Sequence, residues 1–294
     1  MPAPISRFAP APTGFLHLGH VVNAIFVWGV TRARGGRVLL RIEDHDRQRS
    51  RGAFDAAILE DLEWLGFAAD SPPVRQSDRG DIYTEALNGL RRHGLVYACS
   101  CTRTDIGDAN VTGSSGADET APPAELRYPG ICRDRGLADV PGLGLRVRLE
   151  PSVERFTDLR RGPQEQCPSE QCGDLLVRDR SGNWTYQFAA TVDDYVQGVT
   201  LVLRGDDLFI AAGRQRQLAR LCGRQEPPTF LHHALIMKSP TQKLSKSDGD
   251  TGIRDLRAAG WSADRVIGRA AALAGLRADE TPIRAADVPA LFET

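Results

Sequence analysis

Arg7-Phe8-Ala9-Pro10-Ala11-Pro12-Thr13-Gly14-Phe15-Leu16-His17-Leu18-Gly19-His20 is the stretch around which this 294-residue chain is organised. Pro10, Pro12 and Gly14 forbid a helix up to Gly14, and the apolar run from Val21 to Val27 is long enough for a buried one. His17 and His20 therefore fall at a loop-to-helix junction. Such a junction favours negative charge, because its backbone N–H groups lack intrahelical partners and the helix dipole turns its positive end outward. Two imidazoles three positions apart share one face and can donate to phosphate oxygens. Gly19, without a side chain, leaves room for a ligand. Taken alone, His-x-x-His is equally the pattern of core or surface histidines, or of half a zinc site.

Composition bears on that choice. Of the 37 basic residues only Lys238, Lys243 and Lys246 are lysines, and all lie in Met237-Lys238-Ser239-Pro240-Thr241-Gln242-Lys243-Leu244-Ser245-Lys246-Ser247. An ammonium on a flexible stem follows a moving phosphate as a point charge, whereas arginine imposes a planar fork. Chance clustering is the alternative to reading Lys-Leu-Ser-Lys-Ser as a loop over a polyphosphate.

His17-Leu18-Gly19-His20 and Lys243-Leu244-Ser245-Lys246-Ser247 resemble the two signature motifs of class I aminoacyl-tRNA synthetases. Arg7-Phe8-Ala9-Pro10 with Arg41-Ile42-Glu43-Asp44 resembles their glutamyl branch, and the likeness runs from about Arg7 to about Leu273. It implies an α/β protein with a Rossmann-like nucleotide fold in two halves, residues 1–96 and 185–252. Between them lies an inserted acceptor-end-type domain, 97–184, and a short helical segment, 253–294, follows. By the same resemblance ATP, with Mg2+, meets His17, Gly19, His20 and Lys246, and His17, His20, Lys243 and Lys246 serve catalysis. L-Glutamate is implied to meet Arg7, Phe8, Ala9, Pro10, Ala11, Glu43, Tyr186 and Arg204, the two arginines reading carboxylates and Glu43 the ammonium group. Ala11 stands where the branch usually has serine, and Ala190 where full-length enzymes tend to have asparagine. Each lacks a hydrogen bond to the amino acid, so weaker glutamate affinity is expected.

The residues themselves support an α/β reading. Arg37 to Glu43 is a near-continuous apolar run suited to a buried parallel strand, and Glu43-Asp44-His45-Asp46 lies at its carboxyl end, where ligands of such sheets bind. An acidic loop that keeps the strand end hydrated would look the same. Helices are predicted from Ala53 to Leu65 and from an Asp78 cap through His93. Leu145, Val147 and Leu149 alternate as a strand, and Leu175-Leu176-Val177 and Trp184-Tyr186 are predicted to form a hairpin about Ser181-Gly182-Asn183. Val199 to Leu203 reads as a strand ending at Arg204, a candidate carboxylate fork or an ordinary ion-pair partner of Asp206 or Asp207. Two helices are expected from Ile253 to Ala259 and Ala263 to Leu276.

Cysteine usage adds a metal candidate. Chain reversals, including a Gly-, Ser- and Asp-rich loop predicted from Ile106 to Thr120, bring together Cys99, Cys101 and Cys132. Three thiols suit tetrahedral zinc, but buried cysteines also behave as small hydrophobes, and spacing leaves both open. The order Cys99, Cys101, Tyr128, Cys132 resembles the zinc module of glutamyl-queuosine tRNA(Asp) synthetases, short paralogues of the glutamyl enzymes. That likeness implies one structural Zn2+ with Tyr128 as its oxygen ligand. Cys167 and Cys172 form a competing pair, ranked lower because Pro168 and polar neighbours suggest an exposed loop.

Net charge is −1 and the sequence pI about 6.6, so no global basic field recruits nucleic acid; RNA contacts must come from patches such as Arg32 with Arg34, Arg91-Arg92 or Arg160-Arg161. No apolar stretch approaches the ~20 residues that span a bilayer, and Met1-Pro2-Ala3-Pro4 starts no signal peptide, so a cytoplasmic monomer is expected. Too few residues follow Ser247 for a helical anticodon-reading domain. The resemblance to the short paralogues then implies glutamate transfer to queuosine in tRNA(Asp). The alternatives are a truncated synthetase charging the tRNA 3′ end, or a non-catalytic nucleotide- or RNA-binding module.

Overall fold

Strands of near-continuous apolar sequence need a sheet covered on both faces, and the chain builds one. The computed structural model describes residues 2–46, 50–111, 126–239, 242–243 and 252–293, with backbone alone at 111, 237–239 and 242–243. Strand β1 (Ile5–Phe8) leads through helix α1 (Leu18–Arg32) to β2 (Arg37–Ile42), which lies parallel to β1 with Ile5 opposite Arg37 and Phe8 opposite Leu40. Helix α2 (Gly52–Leu65) ends at Gly66 in the left-handed conformation, as its sequence predicts, and the short β3 (Val74–Arg75) extends the sheet beyond β2.

α1 is apolar nearly all round, from Leu18 to Thr31, and so runs through the middle of the larger core. The chain's last turns pack on it: a Cβ at Gly29 would lie 2.2 Å from the Phe292 ring, so only glycine permits that approach.

α3 (Gly80–Arg92) begins later than expected. Gln76–Asp78 forms a 3-10 turn and Asp78 does not cap the helix. The preceding residue of α3, Arg79, is drawn instead to the buried Asp193 at 2.5 Å. A three-stranded antiparallel sheet follows, made of β4 (Val96–Cys99), β5 (Gly144–Val147) and β8 (Leu175–Arg178). It covers a second core with Tyr83, Leu87, Phe188 and Val192. α4 (Arg103–Val111) occupies the first part of the stretch predicted as loop; the remainder, 112–120, lies outside the described residues.

β6 (Glu154–Asp158) and β7 (Gly162–Gln166) form a hairpin, and α5 (Pro168–Gln171) is a single turn. The predicted hairpin about Ser181-Gly182-Asn183 is reduced to one bridge, Arg178 with Trp184. Tyr186 opens helix α6 (Tyr186–Val196) rather than closing a strand, because Phe188, Ala189 and Val192 make a helical apolar face and Phe188 stacks on Trp184. β9 (Leu201–Gly205), α7 (Ala211–Leu221) and β10 (Thr229–His233) complete a βαβ unit with parallel register, Leu201 opposite Thr229. The Thr200 N–H donates to the Ile5 carbonyl at 2.9 Å, so β9 abuts β1. On the far side β10 pairs in parallel with β6 at Asp158. The β6–β7 hairpin therefore continues the catalytic-type sheet although it falls within residues 97–184, because its edge completes β10. β11 (Met237–Ser239) and β12 (Gln242–Lys243) form a small antiparallel pair, and α8 (Ile253–Ala258) and α9 (Ala263–Leu273) close the larger core. Among the described residues no helix is long and apolar enough to cross a membrane.

Asp61 on α2 is fully buried, and both its carboxylate oxygens lack hydrogen-bond partners among the described residues; Arg254 Nε stands 3.7 Å away. Burial, against the attraction of Arg254, pushes this carboxyl up to about 6 from its ordinary 3.8. A raised acid is favoured protonated by the fold, so its stabilisation is complete below about pH 4 and lost as pH rises through about 6. Asp61→Asn is therefore expected to gain about 1 kcal/mol at pH 8 and little at pH 4. Urea midpoints at the two pH values check this; no gain at pH 8 would mean that the charge is compensated.

Candidate active site and candidate metal centre

His17 is the N-cap of α1. Its Nδ1 accepts the Gly19 N–H at 3.0 Å, while His20 Nδ1 accepts the His17 N–H at 3.1 Å, a reciprocal capping box built from two imidazoles. Both Nδ1 atoms are thus acceptors, and in the neutral rings the proton sits on Nε2. A Cβ on Gly19 would lie 2.8 Å from His17 Cε1. Glycine there makes room for the His17 ring.

The lysine-rich segment is tied to this junction at both ends. It leaves β10 through β11 and β12, with Met237 opposite Lys243, and returns at Gly252, which bridges to His17 while the Ile253 N–H donates to the Leu16 carbonyl at 3.0 Å. His233 at the end of β10 fastens the other side, its Nε2 3.1 Å from Asn23 Oδ1 on α1 and its ring stacked on Phe26. Lys246 lies outside the described residues, as does the side chain of Lys243.

The residues implied for glutamate converge beyond the carboxyl ends of β1, β2 and β9, with the first turn of α6 facing them. Arg7, Glu43 and Arg204 are buried and Tyr186 is half-buried. Burial, reinforced by the charge of Glu43, pushes the Tyr186 phenol up, and Arg204 and Arg7 oppose it, so all four groups feel one another. Burial likewise pushes the Glu43 carboxyl up against the pull of Arg41 and Arg7. Of the remaining implied contacts, Phe8 is in the core and Pro10 is bonded through its carbonyl to the Glu43 N–H at 3.0 Å; Ala9 and Ala11 are partly exposed on the same loop.

Sequence reasoning passed over the groups that hold this cluster. Arg41, fully buried, bonds Asp194 at 2.7 Å and Glu43 at 3.2 Å, and Arg7 Nε shares Asp194 at 2.9 Å. Burial raises Asp194, but the guanidinium groups of Arg7 and Arg41 outweigh it and hold the carboxyl below the usual range. The one available signal was an arginine in the middle of an apolar strand, since a cation there requires buried carboxylates. Arg204 takes neither Asp206 nor Asp207 as its anchor. Its Nη1 donates to Gln215 at 2.6 Å and its Nε to His232 at 3.0 Å, while Asp206 is held by Arg161.

The cysteine reading gains a geometry. Sγ of Cys99, Cys101 and Cys132 lie within 4.8 Å of one another, with Cys101 and Cys132 3.5 Å apart. Tetrahedral Zn–S bonds place sulfurs roughly 3.8 Å apart, so the donors fit with slight adjustment. Tyr128 Oη is 3.4 Å from Cys99 Sγ and accepts the Cys132 N–H at 2.8 Å, which places an oxygen at the cluster. Arg146 donates to Cys99 Sγ at 3.3 Å and stacks its guanidinium 3.6 Å above the Tyr128 ring, a cation suited to an anionic ligand set. Burial pushes the Cys101 thiol up to about 12, whereas at Cys132 hydrogen bonds from Ser100 outweigh burial and bring the thiol down to about 6. Gly173, at φ +65°, lets the chain pass Tyr128: a Cβ there would meet the Tyr128 carbonyl at 2.0 Å. Cys172 corrects the exposed-loop expectation. It is buried and donates its S–H to the Pro168 and Gly173 carbonyls, because Pro168–Gln171 turns as a helix.

The family model for the catalytic domain of class I tRNA synthetases (E and Q) matches residues 5–278. The chain is similar to the glutamyl-Q tRNA(Asp) synthetase of Rhodobacter capsulatus, 42% identical over 272 residues that cover 88% of this chain and 96% of that protein. The protein of that name from Symbiobacterium thermophilum is 37% identical, with 98% and 91% covered. Among solved structures, a glutamate tRNA ligase from Elizabethkingia meningosepticum shares the fold at a TM-score of 0.78 and 24% identity; the alignment covers 98% of this chain and 64% of that one. The chain belongs to the class I tRNA synthetases of the glutamyl and glutaminyl type, and is a ligase of that family.

Proposed function

We propose that the chain activates L-glutamate with ATP and passes the glutamyl group to the queuosine base in the anticodon of tRNA(Asp). The observation that carries this reading is the near-complete coverage of the Rhodobacter protein, a glutamyl-Q tRNA(Asp) synthetase, by a chain in which Arg7, Glu43 and Arg204 meet at one set of strand ends with Tyr186 facing them. In the activation step the α-carboxylate of glutamate attacks the α-phosphorus of ATP and pyrophosphate leaves. No side chain acts as nucleophile, so the protein contributes positioning and charge stabilisation. His17 and His20 at the α1 N-terminus hold phosphate oxygens, Lys243 and Lys246 neutralise the departing charge, and Glu43 takes the ammonium while Arg7 and Arg204 take carboxylates. Mg2+ bound with ATP supplies further neutralisation of the polyphosphate. Residues 97–184 carry one structural Zn2+ on Cys99, Cys101, Tyr128 and Cys132, and their arginines face the RNA. A queuosine-bearing loop suits such a site because splayed single-stranded bases are what proteins read most readily on RNA.

Product mapping tests this. Labelled glutamate is expected on tRNA(Asp) containing queuosine and on the anticodon stem-loop cut from it, and not on an unmodified transcript. Label released with the terminal adenosine, or charging of unmodified tRNA(Glu), would instead support a synthetase acting at the 3′ end. ATP–pyrophosphate exchange that needs no tRNA is expected alongside; strict dependence on added tRNA would count against this reading, and no exchange even with tRNA would favour a non-catalytic module.

A further inference from the structure

Arg204 is one end of a buried chain of hydrogen bonds that spans three adjacent strands. Asp158 closes β6, His232 lies near the end of β10, and Arg204 lies near the end of β9; His232 and Asp158 are fully buried. Asp158 Oδ1 accepts the N–H groups of Arg160 at 2.9 Å and Arg161 at 3.1 Å, and Oδ2 accepts the His232 N–H at 3.1 Å and faces His232 Nδ1 at 2.7 Å. Burial raises this carboxyl, but the bonds from His232 and the backbone outweigh it and keep the group below its ordinary range. An ionised carboxylate only accepts, so the histidine proton sits on Nδ1 and the lone pair on Nε2. That lone pair receives Arg204 Nε–H at 3.0 Å. Burial, aided by the Arg204 charge, brings His232 down to about 4, so the ring stays neutral and keeps its acceptor. Phe230, stacked on the ring, and Phe209, set edge-on, prevent it from turning.

We infer that His232, with its tautomer set by Asp158, is a positioning residue for Arg204, aligning the guanidinium so that Nη2 is presented to a carboxylate of the amino-acid substrate. Two of the three guanidinium nitrogens are already committed, Nε to His232 and Nη1 to Gln215, which fixes the plane of the group. Nη2 is buried without a well-formed hydrogen bond among the described residues, with the Tyr186 phenol beside the guanidinium, and a substrate oxygen would satisfy it. An arginine otherwise free about four side-chain bonds is thereby held ready, and that preorganisation is what a directed, charge-assisted contact from Nη2 requires. The inference rests on the reading of Arg204 as a glutamate contact.

The test uses the full chain in ATP–pyrophosphate exchange, varying glutamate and ATP separately, with melting curves beside it. His232→Leu is expected to raise KM for glutamate about ten-fold or more and to leave KM for ATP within about two-fold. His232→Gln, whose amide can donate to Asp158 and accept from Arg204, is expected to recover most of the loss. Should the leucine variant fail to fold, Asp158→Asn carries the test. Its oxygen will face the two backbone donors, leaving its NH2 towards His232 and driving the ring to the tautomer that aims N–H at Arg204, so the glutamate KM should again rise. An unchanged glutamate KM in a folded His232→Leu protein would overturn the positioning role, as would equal losses for glutamate and ATP or a glutamine variant as poor as leucine. A wild type without glutamate-dependent exchange overturns the underlying reading of the site instead.

Discussion

Arg204→Leu is expected to remain folded and to lose glutamate-dependent ATP–pyrophosphate exchange by at least about 10²-fold in kcat/KM for glutamate. The fold should tolerate the change because Arg204 is held by neutral partners, Gln215, His232 and the Tyr186 phenol, and burial lowers its pKa, the mark of a cation kept out of water without full compensation. Replacing such a cation by a shorter apolar side chain removes a desolvation penalty and leaves only neutral groups behind. Activity is another matter. A charge-assisted hydrogen bond to a carboxylate has no substitute in leucine, and the remaining Arg7 is already shared with Asp194. Melting temperature and exchange kinetics of the same preparation decide the point. A folded variant with unaltered glutamate kinetics would remove Arg204 from the site.

Wild-type protein is expected to carry about one zinc per chain, and Cys132→Ser to lose it together with about 5 °C or more of melting temperature. Cys132 is buried with its Sγ 3.5 Å from that of Cys101 and its N–H donating to Tyr128 Oη, so it sits between the other donors of the cluster. Its loss leaves two sulfurs and an oxygen, fewer donors than a closed structural site requires. A metal held there would tie β4, through Cys99, to the segment bearing Tyr128 and Cys132, which is otherwise joined to the body by contacts such as the Tyr128 N–H to Cys172 carbonyl bond at 2.9 Å. Elemental analysis with melting curves before and after a chelator gives the answer. A metal-free wild type of undiminished stability would return the thiols to the core as small hydrophobes.

The departures of the fold from its sequence pattern have a common physical origin. Tyr186 follows a clear turn, Ser181-Gly182-Asn183, and local pattern alone favoured a strand. The helix forms because Phe188, Ala189 and Val192 find the second core. Asp78 had the chemistry of a cap, but Arg79 beside it was claimed by Asp193, more than a hundred residues away in sequence, and the helix starts after both. Cys172 looked exposed among polar neighbours until a single helical turn folded it inward.

The local signals were strong where chemistry and backbone geometry coincide within a few residues: prolines and glycine before an apolar run located the α1 N-terminus, Gly66 ended α2, and Glu43 and Arg204 could each be assigned to a strand end. Two signature motifs in order then named the family that the whole-chain comparison bears out. Tertiary structure alone decided which charges neutralise which. Arg41 with Asp194, Asp158 with His232 and His232 with Arg204 join residues 28 to 153 positions apart. Nothing in local sequence encodes such pairs, because a buried ion or imidazole is satisfied by whatever group the packed sheet brings within hydrogen-bond distance, and that distance exists only once β6, β10, β9, β1 and β2 lie side by side.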